Sequence, residues 1–215
     1  MKRWNQVALR TAALAAILSL GTAGSALAQL SNGGFESPDA SGGDVGGTAD
    51  WNSFNNVFTT AAVSHSGTQS LKTFGPFAPG GGSGCTQLLP AAPGETWVGE
   101  VYALNASFDP IDAVDFGVYK IEFLDASFNL AAGGVFGVDV FESNQINGTT
   151  PLDTWTLLGV GSAPAPANTA WVNAVIVKVD LDGANGGSIF WDDATMSRPV
   201  SVDDTSFGQI KNLYR

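Results

Sequence analysis

The sequence predicts an all-β protein, an antiparallel β-sandwich, on three observations. Segments of alternating apolar and polar residues recur, as in Val175 to Leu181, where the odd positions are apolar and Lys178 and Asp180 lie on the other face of the strand. Turn-forming pairs such as Pro93-Gly94 and Asp182-Gly183 separate these segments. No long stretch after residue 28 keeps the 3.6-residue apolar period of a helix. Short strands at regular spacing favour a sandwich or barrel over a βαβ fold.

Residues 1–28 have the pattern of a secretory signal peptide. A basic start precedes an apolar stretch from Thr11 to Leu20, and Ala26-Leu27-Ala28 is a cleavage site of the small-x-small type. The apolar stretch is too short for a stable membrane span, and no later stretch is long enough. We therefore expect a secreted protein, extracellular or periplasmic, whose mature chain begins at Gln29. A membrane anchor at an uncleaved signal is the alternative.

Charge and composition exclude several classes of function. The chain has 20 Asp and Glu against 9 Lys and Arg. Loss of residues 1–28 would remove three of the basic residues and no acidic residue. No basic stripe is available to neutralise phosphates, so we expect neither nucleic acid nor an anionic membrane as a partner. A single His and a single Cys nearly exclude zinc sites and His-based triads. Cys85 is expected to be a small buried strand residue, with an intermolecular disulfide as the alternative, and the protein is expected to be a monomer.

The sandwich domain is predicted to span residues 29–199, with a polar C-terminal tail at 200–215. Two Gly-rich stretches, Asp39 to Asp50 and Pro76 to Gly84, are predicted surface loops because strand patterns resume on both sides. The tail ends in a short amphipathic, basic patch that is either a frayed terminus or an export or attachment signal. The further strand candidates are, in order, Gln69 to Phe74, Thr86 to Leu89, Thr96 to Ala106, Gly117 to Leu124, Val135 to Phe141 and Thr154 to Val160.

Two segments bracket this domain and each carries a carboxylate. Leu30 to Glu36 precedes the other strand candidates, and Ser188 to Met196 follows them with Asp192 and Asp193 in its interior. If these first and last segments pair as strands, Glu36 and one of the aspartates meet at one rim of a sheet. Such a cluster suits a hard cation with oxygen ligands.

These two segments, with four motifs between them, resemble the calcium-containing jelly-roll carbohydrate-binding modules of the galactose-binding-like superfamily. The motifs cover most of residues 30–198 in the family's order. They are the glycine turn at His65 to Leu71, the Pro-Gly turn at Pro93 to Trp97, the strand end at Ile121 to Ser127, and the Trp-led strand at Thr154 to Thr156. The resemblance implies a jelly-roll sandwich and a non-catalytic module that binds a polysaccharide or surface glycan.

The resemblance also implies a structural calcium, held by Glu36 and by a C-terminal aspartate. Asp192 is preferred to Asp193 because it shares strand parity with Ala194 and Met196, which we expect to point inward. The alternative is that Glu36 and Asp192 are solvated carboxylates at strand ends.

Tyr102, Tyr119 and Trp171 are the candidate sugar-binding residues. Aromatic faces suit the C–H surface of a pyranose ring, and both tyrosines lie on strands that we expect at the centre of a sheet. A core position is an equally good interpretation of each residue. No binding tryptophan of the family can be matched, because the glycines at Gly80 to Gly84 interrupt the alignment.

Two other functions use the same fold. One is a structural or adhesive component of a bacterial surface or matrix that has no sugar site. The other is a glycoside hydrolase, which needs two carboxylates beside one bond. Asp192 and Asp193 are adjacent in one strand and should point to opposite faces, so they cannot flank one bond. The sequence therefore predicts no catalytic residues and no enzyme.

Overall fold

The computed structural model describes residues 29–38, 47–184 and 186–199, which form eleven strands and no helix. The predicted signal peptide and the predicted C-terminal tail lie outside these residues. The strands are β1 (Asn52–Phe54), β2 (Val57–Thr60), β3 (Ser70–Phe74), β4 (Gly81–Pro90), β5 (Val98–Asn105), β6 (Phe116–Leu124), β7 (Val140–Glu142), β8 (Ile146–Asn147), β9 (Thr156–Gly161), β10 (Trp171–Asp180) and β11 (Ser188–Ser197). In this described part, no helix is long and apolar enough to cross a membrane.

The strands build two antiparallel sheets, which confirms the predicted all-β sandwich. We call sheet I the order β1-β4-β10-β6-β7, with β8 also paired to β6, and sheet II the order β2-β3-β11-β5-β9. The long strands β10 and β11 lie at the centres of the two sheets. Their neighbours in each sheet are distant in sequence, so the sandwich is held together by long-range pairing.

One apolar layer fills the space between the sheets. It contains Val172, Ala174 and Ile176 from β10, and Ile189 and Trp191 from β11, all buried. The even positions of β10 therefore face the core, although the sequence pattern indicated the odd ones. Val175 and Val177 lie on the outer face of sheet I, in a second apolar cluster with Val118 and the partly buried Phe54 and Phe116. Both faces of β10 are apolar, which is why alternation misassigned its core side.

Glycines let β4 extend into a segment that was predicted to be a loop. The predicted loop runs from Pro76 to Gly84, but β4 begins at Gly81 and pairs with β10 along its whole length. A Cβ atom at Gly84 would lie 2.0 Å from the carbonyl oxygen of Ile176. Only a residue without a side chain allows this approach of the two strands, so these glycines are packing residues.

Two strand predictions at the ends of loops are wrong. Residues 31–34 form a turn, although Gly33 still meets β11 by accepting a hydrogen bond of 2.8 Å from the Ala194 N–H. The predicted strand Val135 to Phe141 is strand only from Val140, at β7. The carboxylate of Asp139 accepts N–H groups of Ala132, Gly134 and Val135, which folds this segment into a loop.

A β-bulge in β11 changes which residues face the core. The register with β5 shifts between Asp192 and Thr195, and Asp193 has a φ of +51°. Ile189 and Trp191 face the core before the bulge, and Ala194 and Met196 face it after the bulge. Asp192 therefore does not share the inward face of Ala194 and Met196, and the parity argument for it is wrong because a bulge adds one residue to the strand.

Candidate functional site

The three predicted sugar contacts lie in three different environments. Tyr119 belongs to the core: its side chain is fully buried, and its hydroxyl donates a hydrogen bond of 2.9 Å to the Thr195 carbonyl. The ring packs over Gly99, where a Cβ atom would lie 2.6 Å from Tyr119 Cε1. No face of the ring is open to a ligand, so the prediction that Tyr119 contacts sugar is corrected to a core position.

Tyr102 lies on the outer face of sheet II. It pairs with Asp192 across β5 and β11, and its ring stacks on the His65 ring at 3.7 Å between centroids and 17° between planes. Trp155 meets the other side of His65 edge-on, with centroids 5.5 Å apart. The His65 ring covers one face of Tyr102, whose side chain is half-buried.

Trp171 lies on the outer face of sheet I, on the opposite side of the sandwich from Tyr102. It is half-buried, and its ring stacks on Phe128 at 5.6 Å between centroids and 23° between planes. Phe128 is 57% exposed, so the pair forms an aromatic surface open to solvent. The apolar layer separates Tyr102 from Trp171, and a single ligand cannot contact both through one face.

Phe128 is held in an unusual backbone conformation. Its φ is +62°, which a bulky side chain seldom adopts. The Asp125 carboxylate imposes the turn by accepting the N–H groups of Ser127 and Asn129, and the Phe128 N–H donates to the Asp125 carbonyl. Backbone strain of this kind persists where the surroundings fix it, and here the turn presents an aromatic ring to solvent beside Trp171.

Polar groups of two neighbouring strands lie next to this aromatic surface. Asn173 follows Trp171 on the same face of β10, and its register partner on β6 is Glu122. The Asn173 Nδ2 donates a hydrogen bond of 3.1 Å to Glu122 Oε2. Asn173 is only 8% exposed, and its Oδ1 accepts no hydrogen bond from the described residues. A buried amide oxygen without a donor is costly to the folded state.

Glu122 is the acidic group of this surface. Its burial raises the pKa of the carboxyl, while the Asn173 amide and Lys120 act in the opposite direction. Lys120 is already paired with Glu142 at 2.6 Å, and Asp139 and Glu142 add negative charge nearby. Sequence reasoning missed Asn173, Glu122 and Phe128. The signal was present for Asn173, which is a polar residue inside an apolar strand and two positions from Trp171.

The two candidate calcium ligands meet on one loop, at residues 65–69. Glu36 Oε1 accepts the N–H groups of Thr68 (2.9 Å) and Gln69 (3.2 Å), and Glu36 Oε2 accepts the Thr68 hydroxyl at 2.7 Å. These hydrogen bonds hold the pKa of Glu36 below its usual value. Gly67 makes the approach possible, because a Cβ atom there would lie 2.1 Å from Glu36 Oε1.

Asp192 and Asp193 both contact the start of the same loop. Asp192 Oδ2 accepts the His65 N–H at 2.7 Å and the Ser66 N–H at 3.1 Å, while burial raises the pKa of Asp192. Asp193 contacts the His65 ring Nδ1 at 2.7 Å and accepts the Ser66 hydroxyl at 2.6 Å. The bulge thus brings both aspartates to one loop, and the expectation that they point to opposite faces is wrong.

The carboxylate oxygens at this loop suit a hard cation, although they already accept hydrogen bonds from backbone N–H groups. Glu36 Oε2 and Asp192 Oδ1 each accept one hydrogen bond from the described residues and keep a free lone pair. Carboxylate oxygens of this kind are calcium ligands. Within the described residues, however, only Asp115, Asp180 and Asp182 bring three acidic oxygens within 4.8 Å of one another, and there the Lys178 ammonium supplies the positive charge.

No family model matches the chain, and no curated protein matches it in sequence. Solved structures do share its fold. A cyclase from Fischerella sp. TAU aligns with a TM-score of 0.53 and 13% identity, over 80% of this chain and 96% of the cyclase. An arabinose-bound α-L-arabinofuranosidase aligns with a TM-score of 0.51 and 19% identity, over 80% of this chain and 27% of that enzyme. This chain therefore spans about a quarter of the arabinofuranosidase.

Carbohydrate-binding modules are among the structural neighbours. The C-terminal family 22 carbohydrate-binding module of Clostridium thermocellum Xyn10B aligns over 80% of this chain and 99% of the module, with a TM-score of 0.48 and 15% identity. The two antiparallel sheets, together with the likeness to the cyclase and the arabinofuranosidase, confirm the predicted jelly-roll β-sandwich architecture. At these identities the likeness concerns the fold alone, and neighbours with this fold include both enzymes and binding modules.

Replacement of Glu122 by Gln should change the pH dependence of stability. Because the folded-state pKa is raised from 4.5, Glu122 adds to the free energy of unfolding below that value, and this contribution is lost as the pH rises through the folded-state pKa. The melting temperature of Glu122→Gln relative to wild type should therefore rise between about pH 4 and about pH 7. Glu100→Gln is the control, since it removes an exposed charge from β5, on the other sheet. A difference for Glu122→Gln that stays constant with pH would contradict this assignment.

Proposed function

We propose that this protein is a non-catalytic module that binds a polysaccharide through the outer face of sheet I. The observation that carries the proposal is the surface formed by Trp171, Phe128, Asn173 and Glu122. It places an exposed aromatic pair beside a buried amide oxygen that lacks a donor. The polysaccharide's pyranose rings stack on the aromatic side chains, and its hydroxyls donate to the Glu122 carboxylate.

The charges of this face favour a neutral polysaccharide over an acidic one. Lys120 is engaged by Glu142, and Glu122 adds an unpaired acidic group close to Trp171. A uronate-rich chain would bring more negative charge to a face that has no free cation among these residues. A neutral chain offers hydroxyl groups that can donate hydrogen bonds to Glu122.

Replacing Trp171 by Ala should weaken binding of a neutral polysaccharide by about 1–3 kcal/mol, in line with other aromatic stacking contacts. Isothermal titration with soluble glycans selected on a glycan array would measure this effect, and melting curves would show that the variant remains folded. Tyr102→Ala is the matched control on sheet II and should leave the affinity unchanged. Loss of affinity only in Tyr102→Ala would move the site to sheet II.

The same assays separate the other functions of this fold. If the wild type binds no glycan on the array, the structural or adhesive alternative replaces the binding proposal. Release of reducing sugar from any bound polysaccharide would show a glycoside hydrolase. We propose a monomer, and light scattering in the presence of the glycan would detect a dimer.

We also propose that calcium stabilises the fold through Glu36 and Asp192, supported by their convergence on the loop at residues 65–69. A ligand that binds only the folded state at a hundredfold excess over its Kd adds about 2.7 kcal/mol to the free energy of unfolding. A chelator should therefore lower the melting temperature of the wild type, and Glu36→Ala should remove most of that difference. The Asp182→Ala variant, altered in the other acidic cluster, should keep it. Identical wild-type melts with and without chelator would exclude the site.

Export through cleavage of residues 1–28 completes the proposal. The cleavage motif at Ala26 to Ala28 supports it, and the mature chain should begin at Gln29. N-terminal sequencing of the protein recovered from the extracellular or periplasmic fraction would show Gln29 as the first residue. Recovery of the intact signal segment in that fraction would contradict cleavage.

A further inference from the structure

Lys178 is a fully buried lysine in direct contact with a fully buried aspartate. It lies on the core side of β10, and Asp115 directly precedes β6, the neighbouring strand. Both side chains are 0% exposed, and Lys178 Nζ lies 2.6 Å from Asp115 Oδ2. Burial of two charges costs several kcal/mol per ion, which their attraction offsets only in part. The buried ion pair therefore closes this end of the sandwich core at a cost in folding free energy that apolar side chains would not have.

A second buried carboxylate adjoins the pair. Asp180 lies two residues after Lys178 and is also fully buried. One oxygen each of Asp115, Asp180 and Asp182 lies within 4.8 Å of the others. The Asp180 oxygens accept the N–H groups of Phe77 and Gly183, which fix its position.

Backbone contacts hold the reacting groups in place. Asp115 Oδ1 accepts the Leu181 N–H at 3.0 Å. Gly186 closes the other side, since a Cβ atom there would lie 1.6 Å from Asp115 Oδ2 and 3.2 Å from Lys178 Nζ. An amine and a carboxyl group are thus fixed in contact, shielded from solvent, beside a third ionisable group. Such positioning converts a slow bimolecular reaction into a fast intramolecular one.

We propose that Lys178 and Asp115 condense to form an intramolecular isopeptide bond. Transfer of one proton from the ammonium to the carboxylate first removes both charges and leaves an amine and a carboxylic acid. The Nζ lone pair attacks Cγ of Asp115, so that an N–Cγ bond forms and the Cγ–OH bond breaks. The second proton lost from nitrogen passes to the departing hydroxyl, which leaves as water. The reaction consumes no oxidant, nucleotide or metal.

The bond gives the domain a covalent link that its cysteine content does not supply. Cys85 is the only cysteine of the chain, so an internal disulfide cannot form. The isopeptide joins β10 to the segment before β6, adjacent strands of sheet I, at the end of the sandwich opposite Trp171. It removes two buried charges and restricts the unfolded chain, as a disulfide does.

Mass spectrometry of the denatured wild-type protein tests the proposal directly. The intact mass should be lower than that of the same uncrosslinked chain by one water. Trypsin should fail to cleave after Lys178, and the peptide that ends at Lys120, which contains Asp115, should remain attached to the peptide that contains Lys178. Lys120 and Glu142 are a matched control, because their atoms are also 2.6 Å apart but the side chains are 21% and 27% exposed. No bond should join them.

Substitutions test the formation of the bond, and the test does not depend on any one substitution that could prevent folding. Asp115→Asn keeps the shape of the side chain and should form the same amide with loss of ammonia instead of water. Asp115→Ala should show its full mass and normal cleavage after Lys178. A wild-type chain of full mass that trypsin cleaves after Lys178 would overturn the proposal and leave an unreacted ion pair.

Discussion

The two sheets share one apolar layer, and the remaining features of the domain depend on which strand residues enter it. Successive strand residues point to opposite faces, so a residue that points into this layer cannot contribute to an outer face. Tyr119 enters it and packs over Gly99, whereas Trp171 and Tyr102 are left on the two outer faces. The layer therefore divides the aromatic residues among core, sheet I and sheet II, and only those on an outer face can stack on a sugar ring.

Irregular backbone segments at the edges of the two sheets position the side chains of the candidate sites. The bulge at Asp193 turns both aspartates toward one loop, where Glu36 also binds. The Asp125 turn presents Phe128 beside Trp171. At the far end of β10, Lys178 and Asp180 replace apolar residues on the core side, which brings an amine and two carboxylates together in a buried position. Each of these irregular features lowers the free energy of unfolding, and burial of the apolar layer offsets that loss.

The fold could be predicted from the sequence because strand periodicity and turn pairs are local signals. The candidate site could be predicted only in part. Glu36 and Asp192 were identified from the two ends of the chain, but Asp192 for an incorrect reason, since a bulge leaves no mark in a residue pattern. Both faces of β10 are apolar, so alternation could not show that Trp171 and Asn173 point outward. Glu122 and Phe128 become candidates only when β6 and its loop are placed beside β10.

Hydrogen exchange with and without a neutral polysaccharide tests the central claim most directly, because it reports on both faces in one experiment. Binding to the outer face of sheet I should slow exchange of amides around Glu122 to Phe128 and Trp171 to Asn173, and leave the loop at residues 65–69 unchanged. Protection confined to that loop and to the strand of Tyr102 would contradict the assignment and place the ligand on sheet II. Unchanged exchange everywhere, at polysaccharide concentrations that saturate related modules, would contradict sugar binding itself.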